Sequence, residues 1–299
     1  MTSTPARAAA PALAALLAVL VAPAAALAAG PKSVFYERTV MTAADARCRL
    51  FAPPVSAALD AGRAQARNAA LRAGAAEADL AATDRRARAK AAAVPCDSPD
   101  LTTAADRVRN AFEGFAKLTR MRYPGDLSDW RADRNAGRAI RWRLAQDTSF
   151  GWDKMIFGLA GRDGEGSLLA VADFADGSRP YTARLVMRDV ERSTGAYLDT
   201  RGADIDGRMP LARRMPAGYA LRTYAAAARS HAGEDLAPKA MKAPWAFRFP
   251  PEASARLADL DPREAVAVDF VMPDESVRRA YVEVGDFAAG RAFLKLAQR

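Results

Sequence analysis

Histidine is almost missing from this chain: His231 is the only one in 299 residues. That excludes histidine-built metal sites and leaves any nucleophile triad with His231 as its sole base. His231 sits in RSHAGED, which reads as a polar loop with a solvated imidazole. Cysteine is nearly as scarce, with Cys48 and Cys96 alone and no C-x-x-C pair. Also missing are the G-x-S-x-G elbow, S-x-x-K, H-E-x-x-H and the phosphate-binding loop. No cofactor and no metal is therefore expected. Lysine is rare: only seven of the 44 basic residues are lysine. An arginine excess with abundant alanine is the mark of high-GC bacterial coding, an explanation as good as selection for an anionic partner. The formal charge of +9 favours acidic polymers or anionic lipid surfaces as neighbours. With no nucleic-acid motif and the export argued next, nucleic acid is not an expected partner.

Long apolar runs are absent beyond the first residues, so no transmembrane segment is expected in the mature chain. MTSTPAR is followed by AAAPALAALLAVLVAPAAALAAG, which ends in small residues. Ala26-Leu27-Ala28 fits a small-x-small cleavage site, so residues 1–28 read as a signal peptide cut near Ala28. Pro11 and Pro23 interrupt the run and argue against an uncleaved anchor, and no cysteine follows the cut to carry lipid. The expected product is soluble and periplasmic or secreted, with charge +8 after Arg7 is lost from the +9 chain.

In an exported protein two cysteines most simply form one disulfide, with a metal pair or a reactive thiol as alternatives. Residues 33–51 read as a helix with Val34, Met41, Ala44, Cys48 and Phe51 on one stripe, stopped by Pro53-Pro54. Residues 54–94 are helical in composition, and one continuous rod would span roughly 60 Å. Bridged Cα atoms lie within about 7 Å. The chain must therefore turn back, and Gly74 in RAGAAEAD is the place for it. Helices over 54–73 and 77–94 then form a hairpin that returns Cys96 to Cys48. A fourth helix opens at Ser98-Pro99-Asp100 and carries a seam of Leu101, Ala105, Val108, Phe112, Phe115 and Leu118.

The pattern breaks at YPGDLSDWRADRNAGR, so a linker is placed at 123–138 between a helical domain, 29–122, and a β-rich domain, 139–299. Beyond it the period is two. Ile140, Trp142 and Leu144 alternate with Arg141 and Arg143; WDKMIFGLA and LLAVADF flank the turn GRDGEGS; YTARLVMRD places Arg184 and Arg188 on a polar face. GYALRTYAAA reads as another strand, though its alanines also allow a helix; AFRFP follows as a short strand, PEASARLADLD as a helix, AVAVDFVMP and RRAYVEVGD as a hairpin, and DFAAGRAFLKLA as a closing helix capped by Asp286. The fold class is α+β: a disulfide-linked helical hairpin or bundle, then an antiparallel β-sandwich-like region with one or two helices.

The order strand, short helix, strand pair and final helix after VEVGDF resembles the closing half of small exported β-sandwich proteins of the invasion-associated locus B type. The resemblance covers 246–297, rests on element order, and carries no function across.

Candidate chemistry is thin. Asp163 and Glu165 suit a glycine-rich turn. DIDG at 204–207 echoes part of a calcium loop without the remaining ligands. Asp173, Asp189, Asp269 and Asp286 fall near strand ends, where two converging carboxylates would support glycoside hydrolysis. Arg141, Arg143, Arg184 and Arg188 form one anion-binding face if their strands share a sheet. The leading expectation is a non-catalytic binding or interaction module for an envelope protein or anionic envelope component. The alternatives are a carboxylate-based hydrolase of envelope polymer and an electrostatic binder of anionic lipid.

Overall fold

The computed structural model describes residues 30–135, 137–193, 195, 196, 198 and 209–295. The leader reading at 1–28 and the DIDG stretch lie outside them.

The alanine-rich N-terminal part folds as four helices: α1 (Pro31–Cys48), α2 (Pro53–Arg72), α3 (Glu77–Ala93) and α4 (Pro99–Lys117). Pro53 and Pro99 stand in the first turns of α2 and α4, where a missing N–H costs nothing. Gly74 takes φ +89° in the turn between α2 and α3. The disulfide joins Cys48 at the end of α1 to Cys96 before α4, with Cα atoms 5.6 Å apart. Rather than closing only on each other, α2 and α3 both pack on α1. Phe35 and Met41 of α1 supply the bulk that the alanines lack, meeting Leu71 and Leu80 in one cluster and Leu59 and Leu101 in another. Ion pairs Arg63–Asp84 and Arg67–Glu77 join α2 to α3. Leu118, expected on the seam of α4, falls one residue past the helix and is exposed.

Eleven strands follow among the described residues. They are β1 (Arg120–Tyr123), β2 (Trp130–Asp133), β3 (Arg141–Phe150), β4 (Asp153–Gly161), β5 (Ser167–Asp173), β6 (Thr182–Arg188), β7 (Leu221–Ala225), β8 (Ala228–His231), β9 (Trp245–Arg248), β10 (Ala265–Val271) and β11 (Val277–Glu283). Helix α5 (Pro251–Ala258) precedes β10, and α6 (Phe287–Leu294) follows β11. One sheet has the order β1-β2-β3-β4-β5-β9-β8, the other β11-β10-β6-β7, and every pairing is antiparallel. Inward residues of both sheets, among them Phe157, Phe247, Leu185, Val268 and Phe270, meet in one core.

That core does not stop at the helices. Ala58 of α2 belongs to it, Phe112 and Phe115 of α4 pack against it, and α2 lies along α6. Residues 123–138, expected as a linker, instead carry β2. Its Trp130 is fully buried and donates from Nε1 to the Val284 carbonyl at 2.9 Å. The turn before β2 is clamped by Glu283. This buried carboxylate accepts the N–H groups of Asp126, Leu127 and Ser128 at 2.6, 2.8 and 3.0 Å. Three converging N–H donors stabilise the buried anion, and the buried Arg214 adds a counterion 3.6 Å from Glu283 while also pairing with Asp126 of the turn at 3.0 Å.

A β-bulge between Trp142 and Leu144 breaks the alternation expected of β3. Opposite it, Gly158 has φ +152°, and a Cβ there would lie 1.9 Å from the Leu144 carbonyl oxygen, so only glycine fits. Across the bulge Trp142 packs on the outer cluster with Ala160 while Leu144 enters the shared core, and Arg143 between them is buried, although the simple period-two pattern puts Trp142 and Leu144 on one face and Arg143 on the polar one.

Candidate functional site

The four arginines singled out from sequence do not form one face, because β3 and β6 belong to different sheets. Arg143 is buried: its Nε donates to the Gly164 carbonyl at 3.3 Å and its Nη1 to that of Asn135. Burial holds its pKa below the usual arginine value. Arg188 is buried as well, paired with Glu264 at 2.5 Å and donating to Ser193 Oγ at 3.0 Å. Burial pushes the Glu264 carboxyl up, and Arg188 opposes that shift. Arg184 is exposed on the other sheet. Its cross-strand neighbour Asp269 pairs with Arg279 instead, at 2.5 and 2.7 Å. Arg141 lies opposite Gly161, at the start of β3 in the larger sheet.

The strand-end carboxylates are each held by a structural partner. Asp189 meets Arg192 and Arg222, and Asp269 meets Arg279. Asp286 makes a two-pronged pair with Arg72 rather than capping α6 through its side chain. Asp173 accepts the backbone N–H groups of Lys242 and Ala243. No two of these four stand together in a cleft recorded among the described residues. His231 is not in a loop but at the end of β8, its ring stacked 3.9 Å from Trp245. Arg229, two residues earlier, lies 3.7 Å from the same Trp245 ring. An indole between a cation and an imidazole is a favourable, rigid arrangement.

What the structure does assemble is a groove of about 930 Å³ on the outer face of the larger sheet, away from the shared core. Its floor is small and apolar: Ala160, Leu169 and Ala246 from β4, β5 and β9, with Leu236 from the segment that joins β8 to β9. That segment is fixed over the sheet by Trp142 Nε1, which donates to the Leu236 carbonyl at 2.9 Å. The turn joining β4 to β5 forms a second wall. It is anchored by Arg143 on the Gly164 carbonyl and by Arg291 and Lys295 on Glu165, at 2.6 and 3.1 Å. Arg143 thus has a role near the groove, but as a pin behind the wall rather than as a ligand contact.

Three arginines reach the rim, Arg138, Arg162 and Arg248, and none forms an ion pair among the described residues. Asp163 and Asp235 share the rim, so three arginines against two aspartates leave one formal positive charge. Ser167 and Ser230 add hydroxyls. The result is an open trough with an apolar floor and guanidinium groups at its lip, the arrangement expected for a ligand with an apolar body and an acidic group. Asp163 is recognisable from sequence as a residue of this turn, yet three rim arginines among so many carry no local signal that sets them apart.

At the opposite end of β4, Trp152 stands 92% exposed at the tip of the β3–β4 hairpin, where Gly151 supplies φ +65°. Among the described residues no group of three or more His, Cys, Asp or Glu side chains could hold a metal ion, and no helix is long and apolar enough to cross a membrane. Comparison of the chain with protein families, with curated proteins and with solved structures finds no match to any of them.

Proposed function

We propose that this protein is a non-catalytic binding module of the cell envelope, which takes an acidic, partly apolar ligand in the outer groove of its larger sheet. The observation that carries this reading is the convergence of three unpaired arginines on an apolar trough. Elsewhere in the molecule guanidinium groups are widely committed to carboxylates, as at Arg72, Arg188, Arg278 and Arg279. The hydrolase alternative is disfavoured because its candidate carboxylates already serve structural partners. The lipid-binding alternative needs a single arginine face, and β3 and β6 lie in different sheets.

Export through a leader peptide completes the reading, and the Cys48–Cys96 disulfide is compatible with an extracytoplasmic location. We read the two sheets as a β-sandwich, since both feed one core, and the disulfide-linked helices as its cap.

The test uses 8-anilinonaphthalene-1-sulfonate, an apolar bicycle bearing one anion. Fluorescence titration of the disulfide-intact protein is expected to show one saturable site. The double substitution Arg162→Ala, Arg248→Ala is expected to weaken it by at least about tenfold, from the loss of charge-assisted hydrogen bonds. Binding indifferent to both substitutions removes the groove as the site.

A further inference from the structure

The groove ends at β8, and β8 is an edge strand with one side of its backbone unused. The ladder geometry fixes which side. Phe249 donates its N–H to the Leu168 carbonyl at 2.9 Å, so the odd-numbered residues of β9 bond to β5. Ala246 and Arg248 therefore face β8, opposite Ser230 and Ala228 in register. The bond from Ala232 N–H to the Pro244 carbonyl, 2.9 Å, continues the same alternation. The N–H and C=O groups of Arg229 and His231 consequently point away from the sheet. They have no partner among the described residues. All four residues of β8 are exposed.

We propose that β8 accepts an extended acidic peptide as an eighth strand, with alternate side chains of that peptide entering the groove. This rests on the proposed binding role of the groove and names its ligand class. Two independent features support it. The first is the free ladder: two donors and two acceptors spaced for one extended chain. The second is charge. Arg248 lies on the groove face of the edge and Arg229 on the other, and neither β8 nor β9 contains a carboxylate. Acidic side chains of either parity along the added strand therefore meet a guanidinium, whereas a second copy of β8 would bring Arg229 against its like. The stack of Arg229 and His231 on Trp245 holds the strand in place before any peptide arrives, which lowers the ordering cost of binding.

The experiment selects heptapeptides from a phage-displayed library on the chain from residue 29 onward, disulfide intact. The leading clone is then synthesised with and without N-methyl groups at alternate amides. The expected result is enrichment of peptides that alternate acidic and aliphatic residues, and a loss of at least about tenfold in affinity on N-methylation of one parity only. Arg229→Ala keeps the outward N–H while removing the guanidinium and its stack on Trp245, so it serves as the reference for loss of the side chain alone. Arg229→Pro removes that donor on the free side of an edge strand, where proline is tolerated, and is expected to bind about tenfold more weakly than Arg229→Ala. Because the N-methylation series leaves the protein untouched, it decides the matter even if the proline variant misfolds. No enrichment overturns the proposal, as does equal affinity of both N-methyl series, or a concentration-dependent dimer that Arg229→Pro abolishes. Anilinonaphthalene sulfonate bound at the arginine rim, with peptides indifferent to N-methylation, would leave the groove standing and remove only the added strand.

Discussion

Replacing Asp286 with alanine is expected to destabilise the fold by about 3–5 kcal/mol, the cost of leaving a partly buried arginine without its partner. Asp286 is fully buried and Arg72 retains only 19% side-chain exposure. Both oxygens are engaged, Nη1 to Oδ1 at 2.9 Å and Nη2 to Oδ2 at 3.1 Å. The pair bridges the last residue of α2 and the residue before α6, so it fastens the helical cap to the closing segment of the β region. Urea unfolding is the measurement, read as a fall in the midpoint at unchanged slope. The double substitution Arg72→Met, Asp286→Ala is expected to recover part of the loss, since no lone charge then remains. A loss below about 1 kcal/mol for Asp286→Ala would mean that water reaches Arg72 and that the cap is not fastened here.

Removing the disulfide is the second large effect. The bridge closes a separation of 48 residues, for which the chain-entropy model gives roughly 4 kcal/mol. The helices it binds have little else: much of their buried surface is alanine, such as Ala58, Ala66, Ala70, Ala87 and Ala91, and few larger side chains join them. The double substitution Cys48→Ser, Cys96→Ser is expected to lower Tm by roughly 10 °C in a chain of this size. Reduction of the unmodified protein should reproduce that shift. Hydrogen exchange should rise first in α1 and α3, whose contacts with one another and with α2 the bridge supports. An unchanged Tm under reducing conditions would show that the shared core alone holds the helices.

Much of the architecture is legible in the sequence, for reasons that are local. The turn at Gly74 follows from the reach of a disulfide against the length of a rod, and α2 and α3 begin and end within a residue of the expected bounds. The β10–β11 hairpin and α6 follow from alternation and turn chemistry. The failures are non-local. Which strands share a sheet is decided by pairing across long separations, so β3 and β6 could not be assigned to different sheets from their own residues. The bulge at Trp142–Leu144 is another case: one extra residue puts Trp142 and Leu144 on opposite faces and buries Arg143 while the letter pattern stays regular. Segment 123–138 looks like a linker because Pro124-Gly125 marks a turn and aspartate, asparagine and glycine interrupt any periodicity after it. Burial of Trp130 and the clamp by Glu283, more than 150 residues away, make β2 possible. The groove was invisible for the same reason: its floor comes from three strands and a connecting segment, and its rim arginines are brought together only by the pairing of those strands.

The most direct test of the account is a backbone amide NMR titration of the labelled, disulfide-intact chain with anilinonaphthalene sulfonate. The account predicts shift changes confined to residues 138–140, 160–169, 228–236 and 246–248, saturating together and lost in the Arg162→Ala, Arg248→Ala protein. Changes centred instead on α1–α4 or around Trp152, with the groove silent, would contradict it.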